Sequence, residues 1–281
     1  MKNLIVRTIT GVFFVAALVF SFMNLLAMVL LFSLITGLTI WEFTGLANQR
    51  KGVQLNRFIT SVAGVFLFLA MYVYCWGLDV YHLAFIPYLI TLIYLIISEL
   101  YLKAEDPISN WAYTMMAQLY IALPFSLLNI LAALSPANTL PYLLPLSVFI
   151  FLWVNDTGAY CCGSLLGRHK LFPRISPGKS WEGSIGGGVF VLAAAWFISY
   201  YTESHGVQTN LTTLQWMGLG LTVVIFGTWG DLVESLFKRT LGVKDSGHIL
   251  PGHGGMLDRF DSSLLAIPAA VIYLFTLSLL Q

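Results

Sequence analysis

The chain has 281 residues, 58% of them hydrophobic and only 10% charged, with a formal net charge of +1 and a mean hydropathy of +0.82. Soluble domains carry about a quarter charged residues, so this composition excludes an ordinary soluble globule and points to an integral membrane protein. The near-zero net charge excludes a nucleic-acid binder. Cys75, Cys161 and Cys162 form no C-x-x-C pair, which argues against a disulfide framework or a zinc knuckle.

A spanning helix needs ~20 mostly apolar residues. Nine stretches qualify in chain order: about 4–22, 24–46, 58–76, 83–101, 111–134, 140–160, 184–201, 212–233 and 262–280. Lys2 and Arg7 before the first run fit the outline of a cleaved leader. The apolar character resumes at once, with no clear small-residue cleavage site, and predicts a retained helix. The expected fold class is all-α, a polytopic membrane protein of about nine transmembrane helices. With the N-terminus in the cytoplasm, alternation places all fourteen Lys and Arg residues in cytoplasmic segments and none near 23, 77–82, 135–139 or 202–211. That segregation is what the positive-inside bias predicts. Residues 1–139 read as a membrane-spanning scaffold. Residues 140–281 read as the catalytic membrane region, with its site on the cytoplasmic face. The two longest cytoplasmic segments, 161–183 and 234–261, hold most of the unusual polar residues.

The first polar region is WVNDTGAYCCGSLLGRHKLFPRISPGKSWEGSIGGG, Trp153 to Gly188. Asp156 follows an apolar run at the expected membrane face, where an acid is a functional candidate. Gly178-Lys179-Ser180 suggests a P-loop, but Pro173 stands where that motif needs glycine, and no β-strand is expected before it. A Walker site is therefore rejected. Lys179 remains a phosphate-contact candidate beside Ser176 and Ser180, while Glu182 is left open between a metal and Lys179. Arg168 and His169 read as membrane-surface cations or substrate contacts. Gly183, Gly186, Gly187 and Gly188 begin a span and permit close helix packing.

In the second region, GDLVESLFKR places Asp231, Glu234 and Lys238 on one helix face. A Glu234–Lys238 pair with an interfacial aspartate would also explain this pattern. The following KDSGHILPGHGGMLDRFD holds four glycines. They break the helix and let backbone N–H groups approach phosphate. Lys244 and His253 add donors. Asp258 and Asp261 open the last apolar helix, where capping and helix-terminal charge are the plainer account. Asp231, Asp245, Asp258 and Asp261 supply hard oxygen ligands suited to Mg²⁺ or a similar cation. Lys238, Arg239, Lys244 and Arg259 suit phosphate oxygens. Acids that hold a metal, flanked by cations, form the layout expected for phosphoryl or nucleotidyl transfer.

Ser235 to Asp261, SLFKRTLGVKDSGHILPGHGGMLDRFD, resembles the signature of the phosphatidate cytidylyltransferases, the CDP-diacylglycerol synthases. Every fixed position of that pattern is present: S-x-apolar-K-R, then K-D and a small residue, then H-G-G-apolar-x-D-R-apolar-D. NDTGAY, with Asn155 and Asp156, and SPGKSWEG resemble the same family, as does the multi-span layout. The N-terminal half matches only in character. The resemblance implies that CTP and phosphatidate give CDP-diacylglycerol and pyrophosphate with Mg²⁺, the presence of a second cation being left open. It implies a dimeric multi-pass enzyme of a bacterial inner membrane that uses no nucleic acid. The expected metal ligands are Asp231 and Asp258 with Asp261. Asp231, Asp258, Lys238 and Lys244 are the expected catalytic groups. Asn155, Asp156, Ser176, Lys179, Asp245, His253, Gly254, Gly255 and Arg259 are the expected CTP and phosphate contacts, with Glu182, Glu234 and Arg239 nearby.

Two other readings compete. A CTP-dependent polyprenol or dolichol kinase would release CDP instead of pyrophosphate. A secondary transporter would place ionisable residues near mid-bilayer, between repeats with broken helices. Here the mid-span regions are nearly free of charge.

Overall fold

The computed structural model describes residues 2–77, 81–135, 142–207, 209, 211–247, 249 and 254–280. Eight helical stretches among them are long and apolar enough to cross a membrane. The first helix, α1 (Lys2–Ser21), takes the place of the remaining predicted span, with Ile9–Ser21 as its apolar part. An all-α polytopic membrane fold results.

The chain divides into two compact units, one of residues 1–133 with 240–260, the other of residues 134–239 with 261–281. The first contains α1, α2 (Leu25–Ala47), α3 (Arg57–Trp76), a 3₁₀ turn (Tyr81–Phe85), α4 (Ile86–Leu102), α5 (Pro107–Ala117) and α6 (Leu123–Ala133). One π-helical turn, Gln118–Ala122, joins α5 to α6. Asparagine or aspartate starts three of these helices: Asn24 accepts from the N–H of Ala27, Asn56 from Ile59 and Asp106 from Ser109. Each such cap satisfies a donor that the helix itself cannot. Polar side chains also join helices across the apolar interior. Gln118 Nε2 donates to the Thr60 carbonyl at 3.0 Å, and Asn129 Nδ2 to that of Phe68 at 3.3 Å. The core is aromatic. Phe260 packs on Phe14, Phe32 and Phe125 with ring centroids 5.7, 6.2 and 5.4 Å apart.

The second unit contains α7 (Leu143–Leu166), strands β1 (Lys170–Phe172) and β2 (Ser176–Ser180), α8 (Trp181–Ser204) and α9 (Thr213–Thr240). It also holds the part of α10 (Leu257–Leu280) from Asp261 onward. Helices α7 and α8 run antiparallel along a seam of small residues. A Cβ added to Gly158 would lie 3.1 Å from the Gly187 Cα, and one on Gly183 would lie 2.9 Å from the Ala159 carbonyl oxygen. Glycine is needed here for space, as where membrane helices meet backbone to backbone. On α9, a Cβ at Gly230 would lie 2.7 Å from the Asp261 carbonyl oxygen.

Two sequence expectations are corrected. A strand does precede Pro173: β1 pairs antiparallel with β2, Lys170 opposite Ser180 and Phe172 opposite Ser176. Gly178-Lys179-Ser180 therefore lies on an extended strand, so the rejection of a phosphate-cradling loop stands on different ground. Helices α7 and α9 also outrun their predicted spans, to Leu166 and Thr240. Polar residues ended the apolar pattern without ending the backbone hydrogen bonding, so the helices run on beyond residues 160 and 233, with Asp156 and Asp231 inside them as expected.

Candidate active site

In the second unit, the β1–β2 hairpin brings Lys179 to α9. The Ser180 hydroxyl caps α8 by accepting from the Gly183 N–H at 3.1 Å, and the Trp181 N–H donates to the His169 carbonyl at 2.9 Å. Both bonds fix the exit of β2. Lys179, one residue earlier and half-buried, forms an ion pair with the half-buried Asp231. A cavity of about 400 Å³ opens beside it, lined by Asn155, Asp156, Tyr160, Lys179, Ser184 and Thr228 among others. Asn155 is 5% exposed, and its Oδ1 has no hydrogen-bond partner among the described residues. Asp156, one position on, is exposed. The arrangement offers one ammonium, one carboxylate and several hydroxyls to a polar ligand.

On the same unit, Asp261 lies within electrostatic reach of Asp231, Asp156 and Lys238. Its Oδ1 accepts from the Ser262 N–H at 2.6 Å. Glu234 is fully buried and pairs with Lys238 at 2.6 Å, while Arg239 is exposed. Glu182 pairs with His169, not with Lys179. Its carboxylate accepts from the backbone N–H groups of Arg168 and His169 at 3.2 Å and pairs with His169 Nδ1 at 2.5 Å. It thus fastens the strand entry, and Lys179 turns to Asp231 instead. Ser176 is half-buried on β2 and does not line the cavity.

In the first unit, Asp258 organises the glycine-rich loop. Its Oδ2 accepts from the N–H groups of Ser246 and Gly255, each at 2.9 Å, and its own N–H donates to the Ser246 hydroxyl at 3.3 Å. Gly254 has φ +80°, a conformation in which a side chain is strained. Lys244, Asp245 and Arg259 are exposed. His253 lies outside the described residues.

Sequence reasoning missed Tyr160, Ser184 and Thr228 as cavity residues. Ser184 lies four residues after the Ser180 cap, and Thr228 three before Asp231 on α9, a spacing that shares a helix face. A neutral hydroxyl in an apolar run carries no stronger signal.

A divalent ion would need oxygen ligands from these carboxylates. Among the described residues, no three or more His, Cys, Asp or Glu side chains form a ready-made cage. Asp231 and Asp156 each act electrostatically on Asp261. Mg²⁺ is held by one or two carboxylates completed by substrate phosphates, and this donor set fits that mode of binding.

A phosphatidate cytidylyltransferase of Haemophilus influenzae is 37% identical over 255 residues, 85% of this chain and 87% of that protein. Phosphatidate cytidylyltransferases of Staphylococcus aureus (strain COL) and Staphylococcus haemolyticus are 49% and 50% identical over 131 residues, covering 46% of this chain and 48% of each relative. The family model described as "Cytidylyltransferase family" matches residues 3–277. With the match running almost end to end, the chain belongs to the cytidylyltransferase family.

Proposed function

We propose that this chain is a phosphatidate cytidylyltransferase, converting CTP and phosphatidate to CDP-diacylglycerol and pyrophosphate. Its similarity to phosphatidate cytidylyltransferases supports the reading. The observation that carries it is the Lys179–Asp231 pair beside a cavity large enough for part of a nucleotide.

The chemistry asks little of a general base, because phosphatidate already carries an anionic oxygen. That oxygen forms a bond to the α-phosphorus of CTP, and the bond from that phosphorus to the α,β-bridging oxygen breaks as pyrophosphate leaves. The obstacle is repulsion between the two anions, so positioning and charge neutralisation supply the catalysis. Lys179, Lys238, Lys244 and Arg259 are assigned to hold phosphate oxygens. Asn155, with its buried unpaired oxygen, is assigned a polar group of the nucleotide. Asp231 and Asp261, with Asp258 carried by the resemblance, are assigned to Mg²⁺. A bound divalent ion would neutralise triphosphate charge and ease departure of pyrophosphate.

The enzyme is further proposed to be a homodimer in a bacterial inner membrane with its site facing the cytoplasm. The segregation of basic residues favours that orientation, and phosphatidate never needs to leave the bilayer. The test supplies labelled CTP, phosphatidate vesicles and Mg²⁺ to the purified protein. Lipid-linked cytidine and pyrophosphate should form, and chelation should stop both. Release of CDP with a phosphorylated lipid would instead establish a lipid kinase.

A further inference from the structure

Glu42 lies on α2, inside a helix otherwise built of apolar and hydroxyl residues, and is 5% exposed. Burying a carboxylate is costly unless its oxygens find donors. The other polar side chains nearby solve that problem locally. The Thr36, Thr39 and Thr44 hydroxyls each donate to the carbonyl one turn back, at 2.6 to 2.7 Å. Glu42 does not. Its Oε2 accepts from the Leu257 N–H at 2.9 Å and from the Ser246 hydroxyl at 3.3 Å. Both partners lie in the glycine-rich loop and the first turn of α10, within the same compact unit as α2.

The loop is shaped around this carboxylate. A Cβ at Gly247 would lie 2.6 Å from Glu42 Oε1, and one at Gly255 would lie 2.5 Å from Glu42 Oε2. Neither glycine has a positive φ, whereas Gly254 between them in the chain does. Gly247 is therefore required by the space that Glu42 occupies, and Gly255 by the Ser246 hydroxyl and Glu42 together, not by backbone conformation. Ser246, held by Glu42, is also the residue whose backbone N–H and hydroxyl engage Asp258. Phe260, two residues on, is locked among Phe14, Phe32 and Phe125.

We propose that Glu42 is the positioning residue of the glycine-rich loop, its buried carboxylate holding Ser246 and the start of α10 so that Asp258 stands ready for cytidylyl transfer. This rests on the reading of that loop as part of the transfer site. It gives the N-terminal helices a task in the reaction: α2 supplies the peg on which the loop hangs.

The experiment compares full-length Glu42→Ala, Glu42→Gln and Thr39→Val proteins in the CTP–phosphatidate assay, well below their unfolding temperatures and normalised to folded protein. Glu42→Ala should lower kcat by about 100-fold, the scale of a small misplacement of catalytic groups. The CTP KM should change far less. Glu42→Gln keeps an oxygen of the same reach and should recover most of the loss. Thr39→Val, which removes a hydroxyl bonded only within its own helix, should behave as wild type. A thermal cycle of Gly247→Ala and Glu42→Ala is measured alongside. Removing Glu42 makes room for the new methyl, so the double variant should melt higher than the two single losses predict. A Glu42→Ala enzyme with wild-type kcat per folded molecule, a Gln variant no better than Ala, or an additive cycle would each overturn the proposal. An inactive wild-type protein would sink the functional reading instead. It is told apart because the thermal cycle needs no substrate.

Discussion

Lys179 on β2 and Asp231 on α9 form an ion pair between two half-buried side chains, 26% and 28% exposed. The pair joins the hairpin to the helix that carries Lys238, and Lys179 also lines the polar cavity. Replacing Lys179 with Met removes the cationic partner of Asp231 and the hydrogen-bond donor proposed for substrate phosphate. The expected result is a fall in kcat/KM of about 100-fold, the usual scale for losing one preorganised electrostatic contact. Lys179→Arg should retain a larger share. Steady-state kinetics at saturating phosphatidate measures both, and unchanged turnover in Lys179→Met would remove this residue from the site.

Glu234 and Lys238 make a buried pair one helical turn apart at 2.6 Å. Truncating one partner of a buried ion pair costs roughly 3–5 kcal/mol, because the other charge stays buried. Lys238→Met should therefore lower the unfolding temperature in detergent markedly. Pairing it with Glu234→Leu should restore much of that loss, though not activity. Thermal unfolding of the two proteins side by side gives the answer.

Glycines of the α7–α8 region differ sharply in what surrounds them. A Cβ on Gly187 would lie 2.4 Å from Asn155 Oδ1 and 2.8 Å from the Asn155 carbonyl oxygen, whereas one on Gly178 meets nothing within 4 Å. Gly187→Ala should destabilise the protein by about 1–3 kcal/mol, as overpacking does, and should displace Asn155 at the cavity wall. Gly178→Ala should leave the unfolding temperature where it was. Equal stabilities for the two variants would contradict the tight seam.

Asp106 caps α5, and hydrogen bonds from Ser109 hold its carboxyl below the ordinary value of 3.8. A carboxylate depressed in the folded state stabilises fully above the ordinary pKa and loses that contribution as pH falls through the lowered value. Acid titration of wild type and Asp106→Asn should therefore give curves that separate above pH 3.8 and draw together below it. Parallel curves throughout would show that the cap does not titrate with folding.

Hydropathy made the spans legible because a bilayer demands long apolar runs whatever the packing. It misjudged their ends for the same reason. Polar residues beyond 160 and 233 end the apolar pattern, yet the helices continue to Leu166 and Thr240. The hairpin was illegible because SPGKS has poor strand propensity. It forms through pairing with Lys170–Phe172 and a bond from Trp181 to His169, neither of which has a local sequence mark. Lys179 and Asp231 were both legible as candidates, but their pairing was not, since 52 residues separate them. Glu42 shows the limit most plainly. By sequence it is a single acid near a span end, and its partners lie more than 200 residues away.

The Gly158–Gly187 contact leaves α7 and α8 no slack to slide past each other. Lipid surroundings that tilt α8, such as a thinner or thicker hydrocarbon slab, must then drag α7 along as a single lever. Asn155 and Asp156 ride on that lever. A tilt imposed on α8 would thereby reach the cavity wall through α7.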